Sequence, residues 1–304
     1  MRPLRIILVM SLCTALLSAC SLFSFSGSEP KREAKGVPEM IENGQYRAAI
    51  YAVNDLLQRN PGDPELLVDR ATIYQRLGSY EQALEDTAAV LANDPANARA
   101  LRVRGAACIS MGDYSAAVDN LNKSIELDPE TAETYGLKGR ALRLADDIPA
   151  AREALALAVE RDEDIAFFHE ELALCALSQG EHKEAAEHLD RAVDADSDSY
   201  KLTLMCAAAH YNIQEYARAV SLFEDAMDIR PDEKQPYELA ALALAAMPDV
   251  SEALDMQEEG RRIARINGQP YKSYISVETP EEGEPSVSVI YGYETLDVTA
   301  LGNG

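Results

Sequence analysis

The sequence predicts an all-α chain built as a stack of helix hairpins, closed by an irregular or short-strand C-terminal tail. Three observations predict it. Pro61, Pro95 and Pro129 stand 34 residues apart, and Pro231 falls three further periods on, with Glu163 and Ser197 in the intervening slots. A small residue recurs in register at Ala49, Ala83, Ala117, Ala151, Ala185 and Ala219. Alanine is abundant, tryptophan is absent and β-branched runs are scarce until the last part of the chain, a composition that favours packed helices.

The first element is a leader. Residues 1–19 begin with Arg2 and Arg5, continue through an apolar run from Ile6 to Leu17, and end in small residues before Cys20. That is signal-peptide architecture, too short for a stable membrane span. Leu17-Ser18-Ala19-Cys20 resembles the bacterial lipobox at all four positions. The resemblance implies that Cys20 is the lipidation site, with cleavage just before it and acylation of the new amino terminus. One acyl chain holds a protein only marginally, at roughly 0.8 kcal/mol per buried methylene, whereas three hold it firmly. In Gram-negative lipoproteins an Asp after the cysteine implies inner-membrane retention, so on that resemblance Ser21 implies the outer membrane, with the folded part in the periplasm. Residues 20–37 add a tether rich in Ser, Gly, Pro and charge, without helical periodicity.

Without the leader the chain carries 26 basic against 52 acidic residues. Such acidity argues against nucleic acid or anionic headgroups as partners. Cys108, Cys175 and Cys206 remain once Cys13 and Cys20 are assigned to leader and lipid. They read as buried free thiols, with a Cys175–Cys206 bridge as the alternative.

Residues 38–265 carry the repeat. "GSYEQALEDTAAVLANDP" returns as "GDYSAAVDNLNKSIELDP" and later as "QEYARAVSLFEDAMDIRP". An aromatic or its substitute recurs at Tyr46, Tyr80, Tyr114, Ile148, His182 and Tyr216, and a second small residue at Ala71, Gly105, Gly139, Ala173, Ala207 and Ala241. The turn glycine stands at Gly44, Gly78, Gly112 and Gly180, with departures at Asp146, Gln214 and Pro248. This pattern resembles the tetratricopeptide repeat. The resemblance implies paired antiparallel helices stacked into a right-handed superhelical solenoid, with five full repeats from about Pro64 to Pro231. An earlier partial repeat and a degenerate final one around Ala253 flank them. Single units cannot bury their apolar face, so the stack shares one core.

The same resemblance assigns a concave groove to the first helix of each pair. It places Arg76, Arg99, Arg102, Arg140 and Arg143 there, with Glu133 among them. Guanidinium forks suit carboxylates or phosphates; the other reading is a solvated face neutralised by Glu133 and its neighbours. Arg70, Arg104 and Lys138 face the second helix instead, and Asp86 is expected opposite Arg70. The groove asparagine of the chaperone-binding carboxylate clamp is replaced by Thr72, Ala106 and Arg140. Further along, Phe167, Leu174, Leu177, Leu204, Tyr211 and Leu242 fall at inward positions and would suit an amphipathic helix, unless they pack against adjacent helices.

Residues 266–304 form an acidic, turn-rich tail in which Val287, Val289, Tyr291 and Tyr293 alternate with Ser288, Ile290 and Gly292. Disorder, folding back along the solenoid and pairing with another protein's sheet are all open to it. His182 and His188, six apart, point to different faces, no cysteine pair has zinc-ligand spacing, and no phosphate loop or nucleophile elbow occurs. No enzyme, cofactor or metal is therefore expected. The expected function is an envelope scaffold binding acidic or amphipathic protein segments. Anchored lipoproteins of this architecture resemble type IV pilus pilotins and tight-adherence pilus assembly lipoproteins, which implies pilus or secretin assembly. An adaptor for peptidoglycan hydrolases and a carrier of a small anionic ligand are the alternatives.

Overall fold

The computed structural model describes residues 36–247, 251–271, 273, 275–278, 286–289 and 296–301. The leader, Cys20 and most of the tether lie outside the described residues, as do Pro248, Tyr291 and Tyr293. Fifteen helices occur among the described residues, and none is long and apolar enough to cross a membrane.

The chain forms two compact units that divide between Val103 and Arg104. In the first unit α1 (Gly36–Glu42) and α2 (Tyr46–Arg59) precede the hairpin of α3 (Pro64–Arg76) and α4 (Tyr80–Asn93). Helix α3 starts with Pro64 in its first turn, and the Asp63 carboxylate accepts from the Glu65 and Leu66 amides at 3.0 and 3.3 Å. These are the start signals that fixed-φ proline and a short acceptor side chain provide. Val37, Val53, Leu56, Val68, Ile73 and Val90 form its apolar interior. Helix α5 (Ala98–Ser110) contains the division.

The second unit continues with α6 (Tyr114–Leu127) and the pairs α7 (Ala132–Leu144) and α8 (Ile148–Arg161), α9 (Ala166–Ser178) and α10 (His182–Ala195), α11 (Tyr200–Asn212) and α12 (Tyr216–Ile229), and α13 (Gln235–Ala245) and α14 (Ser251–Ile266). Each helix packs on its sequence neighbour. Every second helix through α12 begins on the aromatic or substitute position of the repeat. The recurring alanines from Ala49 to Ala253 are all 0 % exposed, so the period does mark close helix contacts. A Cβ at Gly139 would lie 2.5 Å from Leu155 Cγ, and one at Gly105 would lie 2.7 Å from Leu121 Cγ. The absent side chain is what lets these leucines seat fully, each burial stabilising by about 1.5–3 kcal/mol.

The interhelix turn is left-handed at every described turn of the repeat. Gly44, Gly78, Gly112 and Gly180 have φ between 67° and 80°, and Asp146 and Gln214 keep the same geometry at 65° and 67°. The sequence departures therefore change the residue and not the turn. At Gln214 the Glu215 amide still donates back to the His210 carbonyl at 3.0 Å, the bond that ends a helix in this conformation.

The tail folds back. β1 (Ile275–Glu278) and β2 (Ser286–Val289) pair antiparallel with Ile275 opposite Val289, and both contact α13. Helix α15 (Val298–Leu301) packs on α11. The strand pattern read in the sequence is present in its first half, and disorder is not the state of these described segments. Cys108, Cys175 and Cys206 are buried and free, so the Cys175–Cys206 bridge does not form. His182, which stands in the aromatic slot of the repeat, is exposed at the start of α10.

Candidate functional site: the inward face of the first helices

The first helix of each hairpin presents its inward positions along one stripe, because residues three and four apart share a helix face. In the first unit Arg99 reaches the buried Asp69 at 2.5 Å and Glu65 at 3.4 Å. Arg70 makes the expected pair with Asp86, a two-pronged bond at 2.7 Å for each prong, and adds Asn54 at 3.0 Å. Both hydrogen bonding to Asp86 and its charge raise the Arg70 pKa. Arg76 is exposed at the end of α3, and Arg102 is half-buried on α5.

In the second unit Arg140 and Arg143, one turn apart on α7, converge on Glu171 of α9. Arg140 Nε donates to Oε1 at 2.6 Å and Arg143 Nε donates to Oε2 at 2.7 Å. The Glu171 side chain is 1 % exposed, while Arg140 and Arg143 are 35 % and 20 % exposed. Arg140 also lies 4.2 Å above the Phe167 ring. Three of the five inward arginines, Arg99, Arg140 and Arg143, thus have a structural cause: the sixth residue of a first helix, Asp69 of α3 or Glu171 of α9, is a buried carboxylate that a neighbouring first helix neutralises. The expectation of a face neutralised by Glu133 and its neighbours named no partner for Arg99, Arg140 or Arg143; the structure gives them Asp69 and Glu171. Both bonds are made through Nε, and both arginines are half-buried.

The apolar half differs from an open groove. Phe167 and Leu177 are half-buried, but Leu204 and Tyr211 are 1 % and 4 % exposed and belong to the core, as does Leu242. Leu174 and Leu177 pack on the same core. The cover over α11 includes the chain's own tail: Leu296 and Val298 join the cluster that holds Leu204 and Tyr211. Asn212 clamps the tail backbone. Its Nδ2 donates to the Leu296 carbonyl and its Oδ1 accepts from the Leu296 amide, both at 2.7 Å. Asp297 then caps α15 by accepting from the Thr299 and Ala300 amides and the Thr299 hydroxyl, bonds that lower its pKa. Asn212 and Leu296 were missed in the sequence. The available signal was an Asn at a groove position, followed much later by an Asp that precedes a short apolar run.

Other titratable clusters lie outside this face. His169 and His188 stack with ring nitrogens 3.3 Å apart, and burial holds both pKa values below the ordinary imidazole value. Arg152 gathers Glu181, Glu184 and Gln179 from the next repeat, which holds Glu184 below the usual carboxylate range. Burial pushes the Cys175 thiol up to about 11 and raises Cys206 further, so neither is a poised nucleophile. Cys206 and His210 of α11 meet Asp190 of α10, a grouping that no local sequence spacing reveals.

Family profiles described as tetratricopeptide repeat match residues 40–107, 109–164, 137–200 and 176–247. No curated protein matches the chain. Among solved structures, a thermophilic tetratricopeptide protein of Thermus thermophilus is 22 % identical with a TM-score of 0.55, over 59 % of this chain and 98 % of its own. A tetratricopeptide protein of Parabacteroides merdae is 16 % identical with a TM-score of 0.52, over 81 % of this chain and 95 % of its own. A chain of the APC/C Cut9–Hcn1 hetero-tetramer is 16 % identical with a TM-score of 0.60, over 75 % of this chain and 45 % of that one. At such identities the likeness is one of fold. It agrees with the hairpin register, the left-handed turns and the buried alanines, and on these grounds the chain belongs to the tetratricopeptide-repeat family.

Proposed function

We propose that this protein is a lipid-anchored scaffold of the bacterial envelope, held at the outer membrane through Cys20, that captures segments of partner proteins on the inward face of its first helices. The observation that carries the binding part is the reciprocal pair between Asn212 and the Leu296 backbone. An amide side chain that satisfies both backbone groups of one residue recognises an extended chain whatever its side chains are, and the flanking apolar surface then selects sequence. The chain's own tail fills that place in cis. A partner segment would replace it there.

The anchor rests on the leader, the four lipobox positions and Ser21. Confinement at the membrane raises the effective concentration of partners. The specific pathway we propose is assembly of a pilus or secretin complex, on the resemblance of anchored tetratricopeptide lipoproteins to pilotins and tight-adherence assembly lipoproteins. Pairing of Arg99, Arg140 and Arg143 with carboxylates removes the free cationic cluster that a carrier of small anions would need. The repeats themselves carry no chemistry, so no enzymatic role is proposed.

The test is an in-cell crosslink of the full-length protein followed by identification of what is captured. A secretin or pilus component supports the proposal. Recovery of peptidoglycan hydrolases instead would move the pathway to a cell-wall adaptor, and recovery of no protein would overturn the scaffold reading. Labelling with a fatty-acid analogue should be lost in Cys20→Ala; retention would refute the anchor.

A further inference from the structure

Among the described residues of the second unit there is one place where three different donor types converge. Cys206 and His210 stand four apart on α11, one above the other on the same face. Asp190 reaches them from α10. His210 Nε2 is 3.0 Å from Asp190 Oδ2, the Cys206 thiol donates to Asp190 Oδ1 at 3.5 Å, and one ligand atom from each residue lies within 4.8 Å of the other two. On the far side of the ring, His210 Nδ1 is 2.8 Å from Glu215 Oε2. Arg218 completes the surroundings, donating to Asp190 Oδ1 at 3.1 Å.

We infer that Asp190, Cys206 and His210 form a binding site for a divalent zinc-class cation that ties α10 to α11. Geometry supports it first. Tetrahedral zinc with nitrogen and oxygen ligands at about 2.0–2.1 Å and sulfur at about 2.3 Å has ligand-to-ligand edges of about 3.3 Å, or about 3.6 Å where one ligand is sulfur. The Nε2–Oδ2 and Sγ–Oδ1 separations here are 3.0 and 3.5 Å, to the two oxygens of one carboxylate, and the three ligand atoms lie within 4.8 Å of one another, so side-chain rotations of up to about an ångström bring them to tetrahedral edges. Donor type supports it next. A thiolate, an imidazole and one carboxylate suit zinc or cobalt, and they do not suit magnesium or calcium, which take oxygen shells.

The surroundings supply what such a site needs. Glu215 behind Nδ1 fixes which ring nitrogen faces the ion, the carboxylate–histidine–metal arrangement of outer-shell support. Loading displaces the thiol proton, which passes to solvent as the thiolate takes the ion. Asp190 supplies the route, since its side chain is 33 % exposed while His210 is 7 % exposed. Three protein ligands leave a fourth position for water. The consequence is local: the ion would brace α11, the helix whose Leu204, Tyr211 and Asn212 hold the tail. This inference does not depend on the scaffold reading.

The test is titration of the chelator-treated full chain with Co2+ and then Zn2+, read by absorbance. The site predicts one Co2+ per chain with a thiolate-to-metal charge-transfer band that Zn2+ abolishes. Cys206→Ala should lose the band and at least about a hundredfold in affinity, while Cys175→Ala keeps both. Glu215→Gln should weaken uptake about 10–100-fold through His210 orientation. Asp190→Asn, nearly isosteric, provides a second variant should Cys206→Ala alter the helical signal. A wild-type chain without the band would overturn the inference. So would Co2+ uptake that persists in both Cys206→Ala and Asp190→Asn, because it would locate the ion on the acidic surface.

Discussion

Replacing Glu171 by Gln should destabilise the second unit by about 1.5–3 kcal/mol, and the figure can be worked from the contacts. The carboxylate is 1 % exposed and accepts two charge-assisted bonds at 2.6 and 2.7 Å. Removing one partner of a buried ion pair costs about 3–5 kcal/mol because the survivor stays buried and unpaired. Here the survivors are Arg140 and Arg143, at 35 % and 20 % exposure, and both are in reach of water. Glutamine keeps one acceptor, while its amide NH2 faces a guanidinium. The clash of the NH2 with that guanidinium adds to the cost, but survivor exposure and the remaining acceptor lower it towards the value of one charge-assisted bond lost and one weakened, about 1.5–3 kcal/mol. Thermal melting of the full chain should register this as a drop of about 4–10 °C, on the usual scale for a unit of this size. The triple replacement Arg140→Met, Arg143→Met, Glu171→Leu should recover most of the loss, since apolar substitution of a whole buried triad is often neutral. A Glu171→Gln melt within 1 °C of wild type would refute the pairing, and so would a triple variant no better than the single.

Four further predictions follow from other contacts. Asn212→Ala deletes two hydrogen bonds to the Leu296 backbone, each worth about 0.5–1.5 kcal/mol; hydrogen exchange at the Leu296 amide should quicken about 10–100-fold, with global melting little changed. Gly139→Ala forces a Cβ to 2.5 Å from Leu155, and overpacking should cost about 1–3 kcal/mol in urea unfolding. Gln214→Gly relieves a non-glycine residue at φ 67° and should raise stability by a few tenths to about 1 kcal/mol, the opposite of the usual glycine effect in a helix. Burial lowers the His169 and His188 pKa values below 6.5 in the folded state. Their contribution is then complete above that value and is lost as pH falls through the lower folded pKa values. Melting temperature should decline from pH 7 to pH 5, and His169→Gln with His188→Gln should flatten the decline.

The hairpin register was legible because it is local physics repeated. Alanines 34 apart, turn glycines and starting aromatics each state a backbone or packing need at a fixed distance along the chain. The turns at Asp146 and Gln214 show how firmly the neighbours impose the register, since the left-handed bend survives without glycine. The inward arginines were legible as a set, but their partners were not. Glu171 lies 31 and 28 residues from Arg140 and Arg143, a separation at which the acidic surface offers many carboxylates and only packing chooses among them. Leu204 and Tyr211 were read as inward groove positions, whereas they lie in a core that also takes in Leu296 and Val298, whose position no periodicity encodes. The 84-residue separation of Asn212 and Leu296 is the extreme case. Asp190, Cys206 and His210 escaped notice for the same reason, being assembled across two helices of different repeats.

The central claim is that the inward face of α11 is a segment-binding site which the chain's own tail occupies. Its most direct test is binding of a labelled synthetic peptide with the sequence of residues 294–304, ETLDVTALGNG, to the full chain. Leu296→Asp with Val298→Asp removes the two apolar anchors and should release the tail. The account predicts saturable binding of the peptide to that variant, abolished when Asn212→Ala is added. Wild type should bind at least tenfold more weakly, because its tethered tail competes at an effective concentration in the millimolar range. Equal absence of binding to both chains, or binding indifferent to Asn212, would contradict it.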